Sequence, residues 1–298
     1  MTTLHPLDDI SGIKLAAYPQ WAYHHLANPA HIQTDTAAIE LAATTTAATA
    51  AGYRITPDGW QGLDHPTYQH IYATTAAGEG ERHLHARTLA RDITIPITAP
   101  PNINRQPLDQ TLDPQTGPII ACWNRTTTTN ASYLIACHTA GAYDRTQRGP
   151  SERAPFKIKL RSQWGYFLRP QPLNAGTHTI PAGPGRQIWG ITHPNPSMTA
   201  PLTITMTGGE LGTATRTWTW TPNAPGAPTL PANPERIVAC YSPPFADAYI
   251  LAGGTQHSAS ATRTNAHDML PYLTPGQTYT LTANQAVQFW TLQNRLAP

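Results

Sequence analysis

The sequence carries little charge. Lys, Arg, Asp and Glu make up 12% of its 298 residues, the formal net charge is +2, and no block of basic residues occurs that would follow a phosphate backbone. Direct recognition of nucleic acid is therefore not expected. Residues 1–15 contain neither a basic leader nor an apolar core, and no run approaches the roughly 20 apolar residues of a membrane span. We expect no membrane association, and synthesis and folding in a cytoplasm.

Cysteine is also scarce, and its arrangement excludes a disulfide scaffold. Three cysteines occur, Cys122, Cys137 and Cys240, which is an odd number without CxxC spacing. Cys122 and Cys137 fall on neighbouring predicted strands and could pair, but buried reduced thiols are the favoured interpretation. The fold must therefore rest on apolar cores, for which a hydrophobic content of 40% is sufficient.

The motifs of common enzyme classes are missing. No Gly-x-Ser-x-Gly elbow, P-loop or His-Glu-x-x-His segment occurs. Cys137 and His138 are adjacent on a predicted strand, so their side chains point to opposite faces and are poorly placed as nucleophile and base. No acid and base pair at glycosidase separation can be assigned among the carboxylates Asp8, Asp9, Asp58, Asp64, Asp92, Asp109 and Asp113. We expect a protein that is not an enzyme, with no catalytic residue, metal or cofactor.

Proline and threonine are abundant instead, and they favour strands and turns over helices. The chain has 30 prolines; proline disrupts helix interiors, whereas β-branched threonine packs well on a pleated sheet. Short strand-like segments separated by turn residues recur along the chain. The sequence predicts a mainly-β protein of two β-sandwich domains, residues 1–165 and 166–298, with at most one or two short helices.

The segment 131–167 organises this prediction. Residues 133–137 are typical of a strand, and residues 155–162 alternate apolar and charged side chains with period two. The side chains expected to face a core are Phe156, Ile158 and Leu160, and those expected to face water are Lys157, Lys159 and Arg161. The two strands predict an antiparallel hairpin with a long polar loop, followed by the aromatic run 164–167 and a break at Pro170.

Other segments extend the pattern. Residues 91–97 predict a strand with three isoleucines on one face, and Pro96 within it requires an edge position or a strand end. Residues 106–115, with Pro107 at their head, predict a short helix. Residues 34–48 could form an Ala-rich helix, but their many threonines and few large apolar residues favour an extended strand. Further predicted strands are 68–73, 82–89, 118–123, 187–193, 202–207, 213–221, 236–241, 248–252, 278–282 and 289–292. Residues 176–185 and 223–234 are predicted as Pro- and Gly-rich connections.

Two pairs of side chains are candidate binding residues. His83 and His85 share one face of a predicted strand and could bind zinc, but no third ligand is evident nearby, so solvated histidines are the favoured interpretation. Trp218 and Trp220 also share a strand face and could form a stacking platform for a pyranose ring. The favoured alternative is that this face belongs to the sandwich core or to a subunit interface.

Several of these features occur in a characteristic order. They are the hairpin with its polar loop, the strand that leads into residues 164–167, the strand at 201–209, the segment 270–276, and the turn at 62–64 followed by residues 91–95. In this order they resemble the distal tail proteins of siphophages, a family of phage minor tail proteins. The resemblance covers most of the chain.

The resemblance implies both a fold and a role. It implies a tail-tube-like first domain, a galectin-like second domain, and a ring of copies, typically a hexamer, between the tail tube and the tail-tip hub with its other minor tail proteins. Such a protein would be assembled in the host cytoplasm and reside in the virion tail tip, and DNA would pass through its lumen without specific binding. The alternatives are a carbohydrate- or receptor-binding tail component using Trp218 and Trp220, and a cryptic glycan hydrolase.

Overall fold

The structure is a computed structural model that describes most of the chain in two compact units. The described residues are 10–17, 36–42, 52–56, 60–64, 66–74, 81–100, 103–115, 118–125, 133–139, 144–145, 154–194, 200–221, 236–240, 247–252, 255–258, 263–264 and 272–296. The first unit contains the described residues up to Leu168 together with Arg295 and Leu296, and the second runs from Arg169 to Asn294.

Strands dominate the first unit. They are β1 (Ile10–Ala17), β2 (Ile39–Ala42), β3 (Tyr53–Ile55), β4 (Tyr68–Thr74), β5 (Glu81–Thr88), β6 (Arg91–Ala99), β7 (Ile119–Arg125), β8 (Tyr133–Thr139), β9 (Asp144–Arg145), β10 (Ala154–Ser162) and β11 (Phe167–Leu173), which runs into the second unit. Neighbouring strands follow the order β8, β7, β1, β2, β3, β6, β10. Because β10 also pairs with β8, this sheet closes on itself.

The closed sheet surrounds the first core. Its largest fully buried side chains include Trp123 and Phe167, whose rings meet edge to face with centroids 5.1 Å apart. The isoleucines of β6 and the apolar side chains of β10 point into the same core, whereas Lys157, Lys159 and Arg161 are exposed. The alternation predicted for residues 155–162 is confirmed, because period-two patterning sends alternate side chains to opposite faces of a sheet.

The predicted partner of β10 is largely wrong. β10 pairs antiparallel with β6 along its whole length, from Ala154 opposite Ala99 to Ser162 opposite Arg91. Its pairing with β8 is limited to Leu160 opposite Thr139 and Arg161 opposite His138. β9 pairs with the first half of β10 on the side that a simple hairpin would give to β8. The short contact that remains is the one that closes the sheet.

Two prolines occupy strand positions that the sequence did not predict. Pro96 lies inside β6 between β3 and β10, although an edge or an end was expected. Its carbonyl accepts from the backbone N–H of Thr56, just after β3 ends at Ile55, so the missing proline N–H falls between the end of β3 and the bridge of Gln61 with Thr94. Pro170 does not break the chain, since β11 runs through it; the pairing of β11 with β8 is confined to Leu168 opposite Leu134.

One α-helix, α1 (Gln106–Leu112), confirms the helix predicted at 106–115, and its proline sits in the first turn, where the lost N–H costs nothing. Leu108, Thr111 and Leu112 are buried, and the helix packs against β1 and β2. The side chain of Asn104 accepts from the backbone N–H of Gln106 at 3.1 Å, which satisfies one of the donors that a helix start leaves open.

Arg91 is a charged side chain buried in the first unit, with 5% of its surface exposed. It donates from Nη1 to the carbonyl of Gly62 at 3.2 Å and from Nη2 to the carbonyl of Leu296 at 2.8 Å. Its guanidinium carbon lies 4.8 Å from the centroid of the Phe167 ring. Burial lowers the pKa of Arg91 to about 10, so the group stays charged at neutral pH.

The second unit is a sandwich of two sheets. Its strands are β12 (Gly176–Thr179), β13 (Ile188–His193), β14 (Leu202–Gly208), β15 (Thr215–Trp220), β16 (Arg236–Cys240), β17 (Asp247–Ala252), β18 (Thr255–Ser258), β19 (Arg263–Thr264), β20 (Thr278–Ala283) and β21 (Gln288–Arg295). One sheet has the order β18, β17, β16, β13, β21, and the other the order β12, β20, β14, β15, β19. Trp189 and Phe289 from the first sheet pack with Ile204, Trp218 and Tyr279 from the second.

The predicted fold class is confirmed: the protein is mainly β, with several sheets, one α-helix and a short 3-10 turn at Gly209–Leu211 in the described residues. β12 lies in the passage at 176–185 that was predicted as a connection. Cys122 is buried and forms no disulfide, and β7 places it opposite Leu134 rather than Cys137. The side chains of Cys137 and Cys240, and residues 223–234, lie outside the described part.

Candidate assembly surface

β4 and β5 form a two-stranded sheet of their own, which we call the arm (residues 68–74 and 81–88). At its base the pairing extends by one backbone bond, from Leu89 N–H to the carbonyl of Thr67 at 2.9 Å. The hydroxyl groups of Thr88 and Tyr166, 2.6 Å apart, connect this base to the rest of the first unit. Neither arm strand pairs with another described strand, so both leave one edge of backbone N–H and C=O groups without a ladder partner.

The arm carries an unusual concentration of apolar surface. Among the described side chains, the large hydrophobics that are exposed are Tyr68, Tyr72 and Leu84, with 40%, 51% and 53% of their surface accessible, and all three lie on the arm. A two-stranded sheet without a covering layer is marginally stable in water. Exposed apolar side chains gathered in one place mark an interaction surface, so the arm is the candidate functional surface of the first unit.

A β-bulge sets the direction of these side chains. Ile71 pairs with His85 but the next residue, Tyr72, pairs with His83, so Leu84 is an extra residue on β5. A bulge increases the local twist and re-aims the side chains beside it. The bulge leaves Leu84 outside the regular alternation of side chains along β5, and it places His83 opposite Tyr72 of β4.

The histidines on the arm are arranged differently from the prediction. His83 lies opposite Tyr72, whereas His85 lies opposite Ile71. The neighbour of His83 is His70 on the other strand, with 3.2 Å between Nε2 of His83 and Nδ1 of His70. The ring of Tyr72 lies 5.4 Å from that of His83 and 6.3 Å from that of His70, so the three rings form one exposed cluster. Finding this pair from the sequence would have required the pairing register of β4 and β5. The bulge shifts that register by one residue, and the pattern of residues within each strand does not reveal the shift.

The two tryptophans considered for carbohydrate binding have different outcomes. Trp218 has 3% of its surface exposed and packs edge to face on Trp189, with centroids 6.2 Å apart. Its indole belongs to the core of the second unit, which is the interpretation that the sequence favoured, and this burial leaves it no face for a sugar. The side chain of Trp220 lies outside the described part, and its backbone pairs with Leu202.

Other groups in the described residues offer little chemistry. No group of three or more His, Cys, Asp or Glu side chains is placed to hold a metal ion among the residues described. Asp92 forms an exposed ion pair with Arg161 at 3.3 Å. Within the same residues, no helix is long and apolar enough to cross a bilayer.

The protein matches known proteins in structure but not in sequence. No protein-family model matches the sequence, and no curated protein matches it. A chain in the structure of the phage P2 baseplate in its activated conformation with Ca matches with a TM-score of 0.57 at 10% identity, over 96% of this chain and 99% of that one. A chain of the same baseplate with Sr gives a TM-score of 0.56 at 10% identity and the same coverage.

A third match is the SPP1 Dit protein, described as a paradigm of the hub adsorption apparatus in phages that infect Gram-positive hosts. It has a TM-score of 0.47 at 8% identity, over 82% of this chain and 94% of that one. The two baseplate matches span nearly the whole of both chains. This protein therefore has the fold of a phage baseplate component.

Proposed function

We propose that this chain is a structural protein of the phage tail tip, a distal tail protein whose copies form a closed ring that joins the tail tube to the tail-tip hub. The observation that carries the proposal is the fold shared with a phage P2 baseplate chain over 96% of this chain. The order of strands and turns in the sequence supports the same family independently. In this proposal the first domain is tail-tube-like and closes the ring, typically as a hexamer, and the second is galectin-like.

The arm supplies the contact between copies. Its exposed tyrosines and leucine and its two unpaired strand edges need a partner, and a second copy of this chain is the partner that a homo-oligomeric ring provides. When the arm of each copy contacts the next copy, the contact is head to tail. If the rotation from one copy to the next closes a ring, every arm is covered by a neighbour. Aromatic side chains at the centre of such a contact typically dominate its free energy.

The low charge of the chain suits this role. Because only 12% of the chain's residues are charged, its surface costs less to desolvate when copies associate than a more highly charged surface would. A lumen without basic runs would not hold the DNA that passes through it. The tail tube protein, the hub and the other minor tail proteins are the proposed partners in the virion.

Two measurements test the proposal. Light scattering coupled to size-exclusion chromatography should give a discrete mass that is a multiple of 32.3 kDa, and electron microscopy of that fraction should show rings with a central channel. Imaging of labelled protein in intact particles should place it where the tube meets the tip. Location in a fibre would overturn the proposal and favour the receptor-binding alternative.

A further inference from the structure

We propose that His70 and His83 of the arm form a two-histidine binding site for a borderline transition-metal ion, Zn²⁺ or Cu²⁺, that cross-links β4 and β5. This site is independent of the ring proposed above, since it needs one chain alone. It differs from the zinc motif considered in the sequence, which paired His83 with His85 along one strand.

The distance between the two nitrogens fits such an ion. Two imidazole nitrogens bound to zinc at about 2.0–2.1 Å with a tetrahedral angle between them lie about 3.3–3.4 Å apart. His70 Nδ1 and His83 Nε2 are 3.2 Å apart, so the ion needs the nitrogens to separate by only a small amount. The ring planes meet at 54° with centroids 5.3 Å apart, so they are not stacked face to face. Rotation about the side-chain bonds of two exposed histidines can aim both lone pairs at one point.

The ligand chemistry selects the class of ion. Neutral imidazole suits zinc and copper, and for such a site the affinity for Cu²⁺ exceeds that for Zn²⁺. Mg²⁺ and Ca²⁺ prefer oxygen ligands and should not compete. No third protein ligand is present among the described residues, so water completes the coordination and the site stays open.

The fold of the arm explains why the two histidines lie close together. In the regular part of the hairpin His70 lies opposite Ala86, and the register shift between Ile71 and Tyr72 brings His83 within reach of it. The ring of Tyr72 lies beside both imidazole rings, with centroids 6.3 Å from His70 and 5.4 Å from His83. A metal ion held here would tie the two strands on either side of the bulge, where the ladder is weakest.

Isothermal titration calorimetry on the full chain, free of any affinity tag, tests the site with Zn²⁺ and with Cu²⁺. We expect one saturable site that weakens about tenfold or more in His70→Ala and equally in His83→Ala, because each change removes one of two ligands. His85→Ala is the matched control: it lies on the same strand, is exposed, and pairs with Ile71, so binding should be unchanged. The chain has 13 histidines, and others among them can also bind these ions. The comparison between variants therefore decides whether the measured site is the pair His70 and His83.

A spectroscopic readout distinguishes ligation from a structural effect. Electron paramagnetic resonance of the Cu²⁺ complex should show two nitrogen ligands in the wild type and one in each single variant. His70→Gln and His83→Gln, which keep side-chain size, serve if an alanine variant folds poorly, and circular dichroism checks the fold. Absence of saturable binding below about 1 mM, or binding that survives substitution of either histidine, overturns the proposal.

Discussion

Arg91 links segments that are far apart in the sequence, and its replacement should show how much they depend on it. Arg91→Met removes both donors and leaves the carbonyls of Gly62 and Leu296 without their partner in a buried site. We expect the first unit to lose about 2–3 kcal/mol of unfolding free energy. Urea unfolding followed by tryptophan fluorescence measures the loss.

Arg161→Met is the control for this change. Arg161 is an arginine of the same sheet whose ion pair with Asp92 is exposed, so its removal should change stability by less than about 1 kcal/mol. Equal losses in the two variants would show that the buried contacts of Arg91 contribute no more than a surface charge does.

Tyr53 should make the first unit sensitive to alkaline solution. Burial raises the pKa of its phenol above 10.0, with a smaller opposing effect from Arg105, and its hydroxyl faces the carbonyl of Asn104 at 3.5 Å. Above pH 10 the unfolded chain loses this proton first, so the folded state binds more protons and stability falls as pH rises. The contribution is constant below that range.

The comparison of wild type with Tyr53→Phe tests this titration. Unfolding free energies measured from pH 8 to 11 should fall more steeply in the wild type than in Tyr53→Phe. Parallel curves would mean that Tyr53 does not titrate differently in the two states.

Trp218 tests the two interpretations of the tryptophans on β15. Because it is buried in the sandwich core against Trp189, Trp218→Ala should cost about 3–5 kcal/mol of stability in the second unit. Thr215→Ala, an exposed position on the same strand, should stay within about 0.5 kcal/mol. Thermal unfolding with the two variants side by side measures this. A fully stable Trp218→Ala protein that had lost affinity for a glycan would contradict the core assignment.

At the scale of elements, the arm should control association between copies. The double variant Tyr72→Ser and Leu84→Ser removes two exposed apolar side chains without touching a core. We expect the fold to be kept and self-association to weaken about tenfold or more. Sedimentation equilibrium measures the association.

Lys157→Ser with Lys159→Ser is the matched control for the arm, since it also changes two exposed strand residues of the first unit. Unchanged association in that control, with loss in the arm variant, assigns the contact to the arm. If both variants associate like the wild type, the contact lies elsewhere on the protein.

The elements themselves show what sequence patterns could and could not predict. The strand β10 was predictable because alternation of apolar and charged residues is a local property. Its pairing with β6 was not, because the two strands are separated by more than fifty residues and many strands have compatible faces. The same limit hid the pair of His70 and His83, whose proximity depends on one bulged residue, and strand β12, whose sequence has the composition of a loop.

For the whole molecule, the small net charge predicts weak binding to DNA. A formal charge of +2 spread over 298 residues gives little counterion release, so a mobility-shift assay with duplex DNA at about 150 mM salt should show no retained complex. The same result is expected for assembled rings, through which DNA is proposed to pass. Salt-dependent retention by the assembled form would indicate a basic lumen and contradict this part of the proposal.

The bond between Arg91 and Leu296 also bears on how the protein is made. Leu296 is grouped with the first unit although the whole of the second unit precedes it in the chain. A ribosome delivers residues in sequence order, so the acceptor that Arg91 needs emerges after everything from Arg169 to Asn294. The first unit can therefore collapse early but gains this bond only after the second unit has been translated, and a product terminated before Leu296 would leave Arg91 without one of its two carbonyl acceptors.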